Sequence, residues 1–445
     1  MAAAPHRDEA ANDPEVRTPE PTPVETAREP TPLGARDGLA YGALGLPLAF
    51  VALPLYVVLP NHYAVEFGIP LATLGALLLG ARLVDAAADP LIGRWVDGGF
   101  TRPARVVLGV AVVAALVLAA GFRGLFFPPV RDPATLLLWC AALLAVTYLS
   151  YSVLSVLHQA WGARLGGGEE QRARIVSWRE GLALLGVLVA SVLPALAGLS
   201  VTTAVFAAAL AAGVALLWRA PQPHIGVAPA QPPRLLEPLA TPAFRRLLLV
   251  YLVNGVASAV PATLVLFFIR DRLQAQPFEP LFLASYFAAG ALSMPLWLRL
   301  VARFGLARAW LAGMVLAIVT FAWAALLGAG DVAAYTAVCI ASGIALGADL
   351  TLPGALLAGV IQRAGHGQRL EGAYFGWWNF CTKLNLPLAA GIALPLLSQF
   401  GYTPGSRSPQ ALQALTLAYC LLPCALKLLA AAAVWTLWVR KEEPT

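Results

Sequence analysis

Twelve apolar runs, each about 20 residues or longer, dominate the sequence. A helix needs about 20 mostly apolar residues to cross the hydrocarbon core of a bilayer. Charged residues make up only 12% of the chain, against roughly 25% in soluble domains. The runs lie at residues 38–60, 70–94, 104–124, 134–163, 173–198, 200–219, 243–270, 278–302, 306–328, 332–362, 371–400 and 410–439. They predict an all-α integral membrane protein with twelve transmembrane helices.

The polar segments predict how the chain is divided. Residues 1–36 are rich in Pro, Glu and Thr and contain no apolar run, which is typical of a disordered tail. Residues 220–242 are rich in proline and separate the sixth run from the seventh, so we expect an exposed linker without a helix there. The predicted parts are therefore a six-helix half at 37–219, a second at 243–440, and a short tail at 441–445.

Basic residues predict the orientation. The loops after even-numbered runs are rich in arginine, whereas the loops after odd-numbered runs hold only Arg123, Arg131, Arg270, Arg272 and Arg407. Short loops that carry more Lys and Arg stay on the cytoplasmic side. We therefore expect both termini in the cytoplasm and, given the composition, a bacterial inner membrane location. Since the arginines lie in short loops between apolar runs, they do not indicate nucleic-acid binding.

The two halves share a short repeat. The second run contains PLIGRWV at residues 90–96, and the eighth contains PLWLRLV at residues 295–301. Both segments lead into an arginine-bearing loop. Two similar six-helix halves and a central linker indicate the major facilitator fold, in which the substrate cavity lies between the halves near the membrane midplane.

Three charges interrupt the second run. Arg82, Asp85 and Asp89 lie at i, i+3 and i+7, so they share one face of a helix. Charges in lipid are costly unless they are paired or face a polar cavity. Two carboxylates one turn apart repel each other unless they share a proton, a cation or a basic partner. Pro90 also leaves the Ala86 carbonyl without its usual amide partner. The stripe predicts a site for Na⁺ or H⁺; the alternative is a structural charge network.

A second anchor is Lys383 in the eleventh run, about twelve residues from its start. Near the midplane a lysine cannot easily extend its ammonium to the interface. We expect Lys383 to contact the aspartates across the two halves, with Arg82 as a further coupling residue. Its neighbours Trp377, Trp378 and Asn379 are predicted to line a substrate cavity.

Other polar groups within the runs are weaker candidates. Asp349 in the tenth run either contacts the solute or pairs with Lys383. Tyr151 and His158 in the fourth run are cavity candidates, although a lone histidine often serves packing. Lys427 in the last run is expected to reach the interface or face lipid. The loop charges Glu169 and Glu170, with the arginines of 172–179, indicate a gate or a solvated face.

Three motifs carry a family resemblance. They are ARLVDAAADPLIGRWVD (81–97), ARLGGGEEQRARIVSWRE (163–180) and RLEGAYFGWWNFCTKLNLPLA (369–389). The sequence resembles the glycoside–pentoside–hexuronide:cation symporters, the melibiose-permease-like branch of the major facilitator superfamily. The resemblance implies that Asp85 and Asp89 bind the coupling cation beside Lys383, and that Ser152 supplies a hydroxyl to that site.

The chain departs from this family where its sugar-transporting members carry acidic residues. Those positions read Ala49 and Ser155 here, although Ser155 stays a cavity candidate. The expected function is Na⁺- or H⁺-coupled symport of a small organic solute, such as a sugar or glycoside, by alternating access. The alternative is cation-driven transport or flipping of an amphiphilic or lysolipid-like molecule.

The sequence gives no sign of enzyme chemistry. Its five cysteines lie in apolar runs without metal-ligand spacing, and no nucleophile motif or phosphate-binding loop is present. We expect no cofactor and no metal beyond the coupling cation. The expected partners are a small-molecule solute, a monovalent cation and membrane lipid, with the protein a monomer.

Overall fold

The structure, a computed structural model, describes residues 33–226 and 234–440. The predictions for most of the N-terminal tail, for the last five residues and for the centre of the linker lie outside the described residues. All regular structure within the described ranges is helical.

The helices of the described ranges match the predicted twelve spans. Nine are long and apolar enough to cross a bilayer, or ten if the bent pair Gln276–Leu292 and Met294–Phe304 forms one span. Glu169–Leu217 holds two spans, because its 49 residues would extend about 74 Å as one helix and Gly198 breaks it at φ 76°. Leu71–Gly99, with 29 residues, is also long enough to cross a bilayer. Counting these two brings the number to twelve, so the predicted fold class is confirmed.

We number the spans α1 to α12 in chain order. Their bounds are Ala35–Phe67 (α1, with internal breaks), Leu71–Gly99 (α2), Ala104–Phe126 (α3), Pro133–Ala163 (α4), 169–197 (α5), 199–217 (α6), Pro242–Arg272 (α7), Gln276–Phe304 (α8, bent by 41°), Leu306–Ala324 (α9), Val332–Arg363 (α10), Glu371–Gln399 (α11) and Pro409–Val439 (α12).

The linker region departs from its prediction at one place. Glu237–Ala240 forms a short helix with Pro238 in its first turn. Proline is tolerated there because the amide it lacks would have no helical partner. The expectation that prolines exclude a helix throughout 220–242 is therefore wrong.

Glycines bring α2 and α11 into close contact. A side chain at Gly93 would meet the carbonyl of Gly372, and one at Gly376 would meet the carbonyl of Asp89. Small residues allow such backbone approach between membrane helices. The contact joins an N-terminal helix to a C-terminal helix at the end of the molecule where α11 begins. We call this end, which carries Arg102, Arg164, Arg172, Arg363 and Arg369, the arginine-rich end.

Towards the opposite end the same helices lose this contact. A side chain built at Gly75 or Gly80 of α2, or at Gly391 of α11, would meet no atom within 4 Å. The N-terminal and C-terminal helices thus pack along α2 and α11 at the arginine-rich end, and a cavity opens between them nearer the membrane centre.

Candidate functional site

A buried charge cluster joins α2, α4 and α11. The Lys383 ammonium lies 2.9 Å from Asp85 Oδ2 and 2.7 Å from Asp89 Oδ2, and it donates to Asp89 Oδ1 at 2.8 Å. It also donates to the hydroxyl of Ser152 at 2.8 Å, and this hydroxyl donates to Asp85 Oδ1 at 2.6 Å. The contact expected between Lys383 and the aspartates is therefore present.

Local structure explains why these groups meet. Asp85 and Asp89 stand one turn apart, so both carboxylates lie on the same face of α2. The glycine contact at Gly376 places α11 against the backbone of Asp89, and Lys383 follows about two turns later. The two aspartates are at most 2% exposed and Lys383 is 7% exposed, so these three charged groups are largely buried.

The cluster retains unused acceptor capacity. Asp85 Oδ2 and Asp89 Oδ2 accept no well-aligned hydrogen bond within the described residues, although the lysine charge is close. Two carboxylates and a hydroxyl provide hard oxygen ligands of the kind that alkali and alkaline-earth cations prefer. No group of three or more His, Cys, Asp or Glu side chains suited to a metal occurs in residues 33–226 or 234–440. The oxygen donors of the cluster have the chemistry to hold a hard cation or a proton.

Arg82 lies at the edge of this cluster. Its guanidinium is 3.6 Å from Asp85 Oδ2, donates to the hydroxyl of Tyr56 and lies 4.8 Å from the centre of the Tyr56 ring. Its side chain is 26% exposed. Arg82 thus combines a loose ion pair with an open face towards the cavity.

A cavity of about 250 Å³ lies between the two sets of six helices. Its wall contains Arg82, Lys383 and Ser152, so the charge cluster opens directly into it. Of the residues predicted to line a substrate cavity, six do so: Tyr151, Ser155, His158, Asp349, Trp378 and Asn379. The wall also includes Ala49, one of the two positions at which the chain departs from the sugar transporters.

The prediction that Trp377 lines the cavity is wrong. Its indole donates to the Leu235 carbonyl at 3.1 Å, and it is not part of the cavity wall. The next residue, Trp378, lines the cavity and stacks on Tyr251 at 3.6 Å between ring centres. Consecutive residues point about 100° apart on a helix, which separates the two tryptophans.

Asp349 and Lys427 form a second buried ion pair. Lys427 Nζ lies 2.6 Å from Asp349 Oδ2 and 2.8 Å from Asn254 Oδ1. Asp349 also accepts hydrogen bonds from Asn254 at 3.0 Å and Trp310 at 3.0 Å. The expectations that Asp349 pairs with Lys383 and that Lys427 reaches the interface are therefore both wrong. A buried ammonium needs an anion, and the side chains of Lys427 and Asp349 meet beside Asn254 of α7, against which α12 packs.

His158 is held by the backbone of α1. Its Nε2 lies 2.8 Å from the Tyr41 carbonyl, and Tyr41 donates its hydroxyl to the His158 carbonyl at 3.0 Å. The ring lies 4.5 Å from the Tyr41 ring. His158 therefore packs α4 against α1 as well as bordering the cavity.

An ion-pair network, which sequence reasoning did not find, joins the two sets of helices at the arginine-rich end. Arg164 lies 3.1 Å from Asp97 and 2.8 Å from Glu371. Asp97 also accepts the first amides of α11, from Gly372 at 2.7 Å and Ala373 at 2.8 Å. A carboxylate at a helix N-terminus satisfies amides that have no helical partner. We call the side chains of Asp97, Arg164 and Glu371 the latch.

The loop charges strengthen this seal. Glu169 accepts the Leu306 amide at 2.8 Å, and Arg172 donates to Gln362 Oε1 at 2.7 Å. Both contacts join α5 to C-terminal helices. Glu169 and Arg172 bridge the N-terminal and C-terminal helices, as expected for a gate. Arg174 instead pairs with Glu170 on the surface, as expected for a solvated face.

A loop histidine lies beside the same seal. The Nδ1 atom of His366 is 2.8 Å from the hydroxyl of Tyr374, which is 2.7 Å from the hydroxyl of Thr241. Burial and the nearby charge of Arg369 lower the pKa of His366. Its imidazole is therefore neutral at pH 7, and this contact adds no charge to the latch.

Comparison with known proteins agrees with this architecture. A family model described as MFS/sugar transport protein matches residues 38–440. The putative sulfoquinovose importer of Escherichia coli (strain K12) is 26% identical over 92% of each chain. The putative glycoside/cation symporter YagG of the same organism is 27% identical over 36% of this chain, a match that spans about a third of YagG (35%).

Solved structures share the fold. A bacterial homologue of the iron transporter ferroportin in an outward-facing state has a TM-score of 0.66 at 18% identity, covering 89% of this chain and 99% of that one. The major facilitator transporter FucP in the outward conformation has a TM-score of 0.65 at 12% identity, covering 89% and 98%. Since the family model spans most of the sequence, the chain belongs to the MFS/sugar transport protein family and is a multi-pass membrane solute transporter, not an enzyme.

Proposed function

We propose that this transporter is a cation-coupled symporter that moves Na⁺ or H⁺ together with a small organic solute by alternating access. One observation carries the proposal: Lys383 of α11 occupies the space between Asp85 and Asp89 of α2, at the wall of the central cavity. Lys383 and a bound cation would compete for the same carboxylate oxygens, so the site can exchange one positive charge for another.

Coupling follows from this competition. A cation bound by Asp85, Asp89 and Ser152 releases the Lys383 ammonium, which weakens the contact between α2 and α11. The released ammonium faces the cavity, where it meets the solute. By linkage, a solute that binds better after cation binding must raise the affinity for the cation by the same factor.

The seal at the arginine-rich end supports alternating access. The latch and the glycine contact close that end, whereas α2 and α11 have no such contact at the opposite end. The positive-inside rule assigns the arginine-rich end to the cytoplasm, with both termini on that side of a bacterial inner membrane. In this assignment the structure is an outward-facing state.

The relatives indicate only the chemical class of the solute. Their names point to a sugar, a glycoside or a sulfonated sugar. Ala49 and Ser155 provide no carboxylate to bind hydroxyl groups, so recognition of a neutral disaccharide in the manner of the melibiose-permease-like members is not the role we propose.

A second candidate function has one specific observation in its favour. A cavity of about 200 Å³ within the C-terminal helices is lined by aromatic residues, and Asp349 borders both this cavity and the central one. An amphiphile could place its polar part in the central cavity and its apolar part among Phe282, Tyr286, Phe321 and Tyr335. A transporter or flippase of a lysolipid-like molecule is therefore the alternative.

Counterflow and gradient-driven uptake in proteoliposomes test the proposal. Uptake of radiolabelled sulfoquinovose, a glycoside panel and lysolipid is measured under separate Na⁺, Li⁺ and H⁺ gradients. We expect one gradient to drive accumulation, and Asp85→Asn or Asp89→Asn to abolish it while leaving the protein folded. Asp132→Asn, an exposed helix cap at the start of α4, is the control. Gradient-driven accumulation at the wild-type rate in both cluster variants would sink the proposal.

A further inference from the structure

The charged residues around the central cavity fall into groups whose formal charges cancel. Its wall carries Arg82, Arg179, Glu180, Asp349 and Lys383. Arg179 donates to Glu180 at 2.7 and 2.9 Å, and Asp349 pairs with Lys427 at 2.6 Å. These two pairs are neutral on their own. The charge that remains belongs to the cluster.

Within the cluster the formal charges also cancel. Arg82 and Lys383 supply two positive charges, and Asp85 and Asp89 supply two negative charges. Binding one monovalent cation, or protonating one aspartate, leaves the cluster with one excess positive charge. The result is the same for Na⁺, Li⁺ and H⁺. Because the carboxylates and Lys383 are buried, an unbalanced charge there is unfavourable unless a counter-charge arrives with it.

Arg82 is placed to meet such a counter-charge. Its side chain is 26% exposed and lines the cavity, while Tyr56 orients its guanidinium through a hydrogen bond and a ring contact. Its ion pair with Asp85, at 3.6 Å, is the longest in the cluster. A guanidinium presents a planar fork of donors that matches carboxylate, sulfonate or phosphate oxygens.

The rest of the wall provides no competing anion. Ala49 and Ser155 are uncharged, and Glu180 is occupied by Arg179. Asp349 is saturated by Lys427, Asn254 and Trp310. Among the lining residues, therefore, no acidic side chain is left to balance the excess charge once the coupling cation has bound.

We infer that the solute is a small organic monoanion whose acidic group binds Arg82, with the released Lys383, when the cation occupies Asp85 and Asp89. This inference rests on the proposed symport function and assigns the substrate class of that site. One cation and one monoanion leave the cluster balanced, so a one-to-one transport cycle moves no net charge.

Cation binding to the purified full-length protein in nanodiscs tests the inference. Equilibrium binding of ²²Na⁺, or proton uptake if H⁺ proves to be the coupling ion, is measured with matched pairs of additives. The pairs are glucose with glucuronate and glycerol with glycerate. In each pair the acid has a carboxylate where its neutral partner has a CH₂OH group. We expect an acid from at least one pair to tighten cation binding about tenfold, and its neutral partner to have no effect.

Variants of Arg82 separate charge balance from a structural role. Arg82→Gln removes the excess charge, so cation binding without additive tightens and the effect of the acid disappears. Arg82→Lys keeps the charge and keeps the effect. Arg94→Gln, on the same helix outside the cluster, behaves as wild type.

The inference is overturned if a neutral partner tightens cation binding as much as its acid does. It is also overturned if no acid acts on the wild type and Arg82→Gln binds the cation as the wild type does. Failure of the proposed function looks different: no cation then binds under any condition, or Asp85→Asn and Asp89→Asn bind it as the wild type does.

Discussion

The ammonium of Lys427 in α12 lies 2.6 Å from the carboxylate of Asp349 in α10. The sequence alone does not predict this ion pair. Asn254 bridges the two charges by accepting from the lysine and donating to the aspartate. The pair therefore ties α7, α10 and α12 together at membrane depth. This network lies wholly within the C-terminal helices, whereas the Lys383 cluster crosses between the two sets.

The Asp349–Lys427 pair predicts a non-additive effect on stability. Lys427→Met leaves a buried carboxylate unpaired, and loss of one partner of a buried ion pair costs about 3–5 kcal/mol. Adding Asp349→Asn removes the unpaired charge and should restore most of the loss. The midpoint of thermal unfolding in detergent measures both. If the double variant is less stable than Lys427→Met alone, the pair does not carry the coupling we assign to it.

The latch predicts control of access from the arginine-rich end. Asp97→Asn removes the charge that binds Arg164 and weakens acceptance of the first amides of α11, so that end should open more often. The measurement is labelling of a Gly354→Cys reporter, in a cysteine-free background, by an impermeant maleimide applied from that side. A cysteine there fits, because a Cβ at Gly354 would have no contact closer than 3.6 Å.

We expect labelling of this reporter to rise several-fold in Asp97→Asn. Glu237→Gln, which breaks the exposed pair between Glu237 and Arg369, is the matched control and should leave labelling unchanged, since surface pairs contribute little. Equal labelling of Asp97→Asn and the control would mean that the latch does not hold this end closed.

The fold was predictable because its signals are local. Each apolar run corresponds to one membrane span. Even the tight hairpin at Gly198 falls at the predicted boundary between the fifth and sixth runs. The short helix at Glu237–Ala240 was not predictable from its prolines alone, because proline in the first turn of a helix is compatible with it.

The site was predictable only where a buried charge had few possible partners of opposite charge. Asp85 and Asp89 share a face by helix geometry, and two buried carboxylates require a cation such as Lys383. For Asp349, two lysines were available, and the choice depends on which helices pack together. The separation of Trp377 from Trp378 was not predictable from their spacing, because adjacent helix residues such as Trp378 and Asn379 can both line one cavity.

The glycine contact predicts that α2 and α11 tolerate no added side chain at the arginine-rich end. Gly376→Ala places a methyl group against the Asp89 carbonyl, and such overpacking costs about 1–3 kcal/mol. Gly391→Ala, on the same helix but facing open space, should be neutral or more stable by up to about 1 kcal/mol. Thermal unfolding compares the two. Equal midpoints would show that the backbone approach at Gly376 does not constrain the helices.

A carboxylate at Ser155 should change which solutes couple to the cation. Ser155 lies one turn from Ser152 on the cavity face of α4, so Ser155→Asp adds a negative charge near the cluster. The protein itself then supplies the counter-charge that we assign to the solute. In the ²²Na⁺ binding assay we expect glucuronate or glycerate to lose its effect, and cation binding without additive to tighten. Ser155→Asn, which is similar in size but uncharged, should keep the wild-type response to the acids. If Ser155→Asp keeps it too, charge balance does not select the solute.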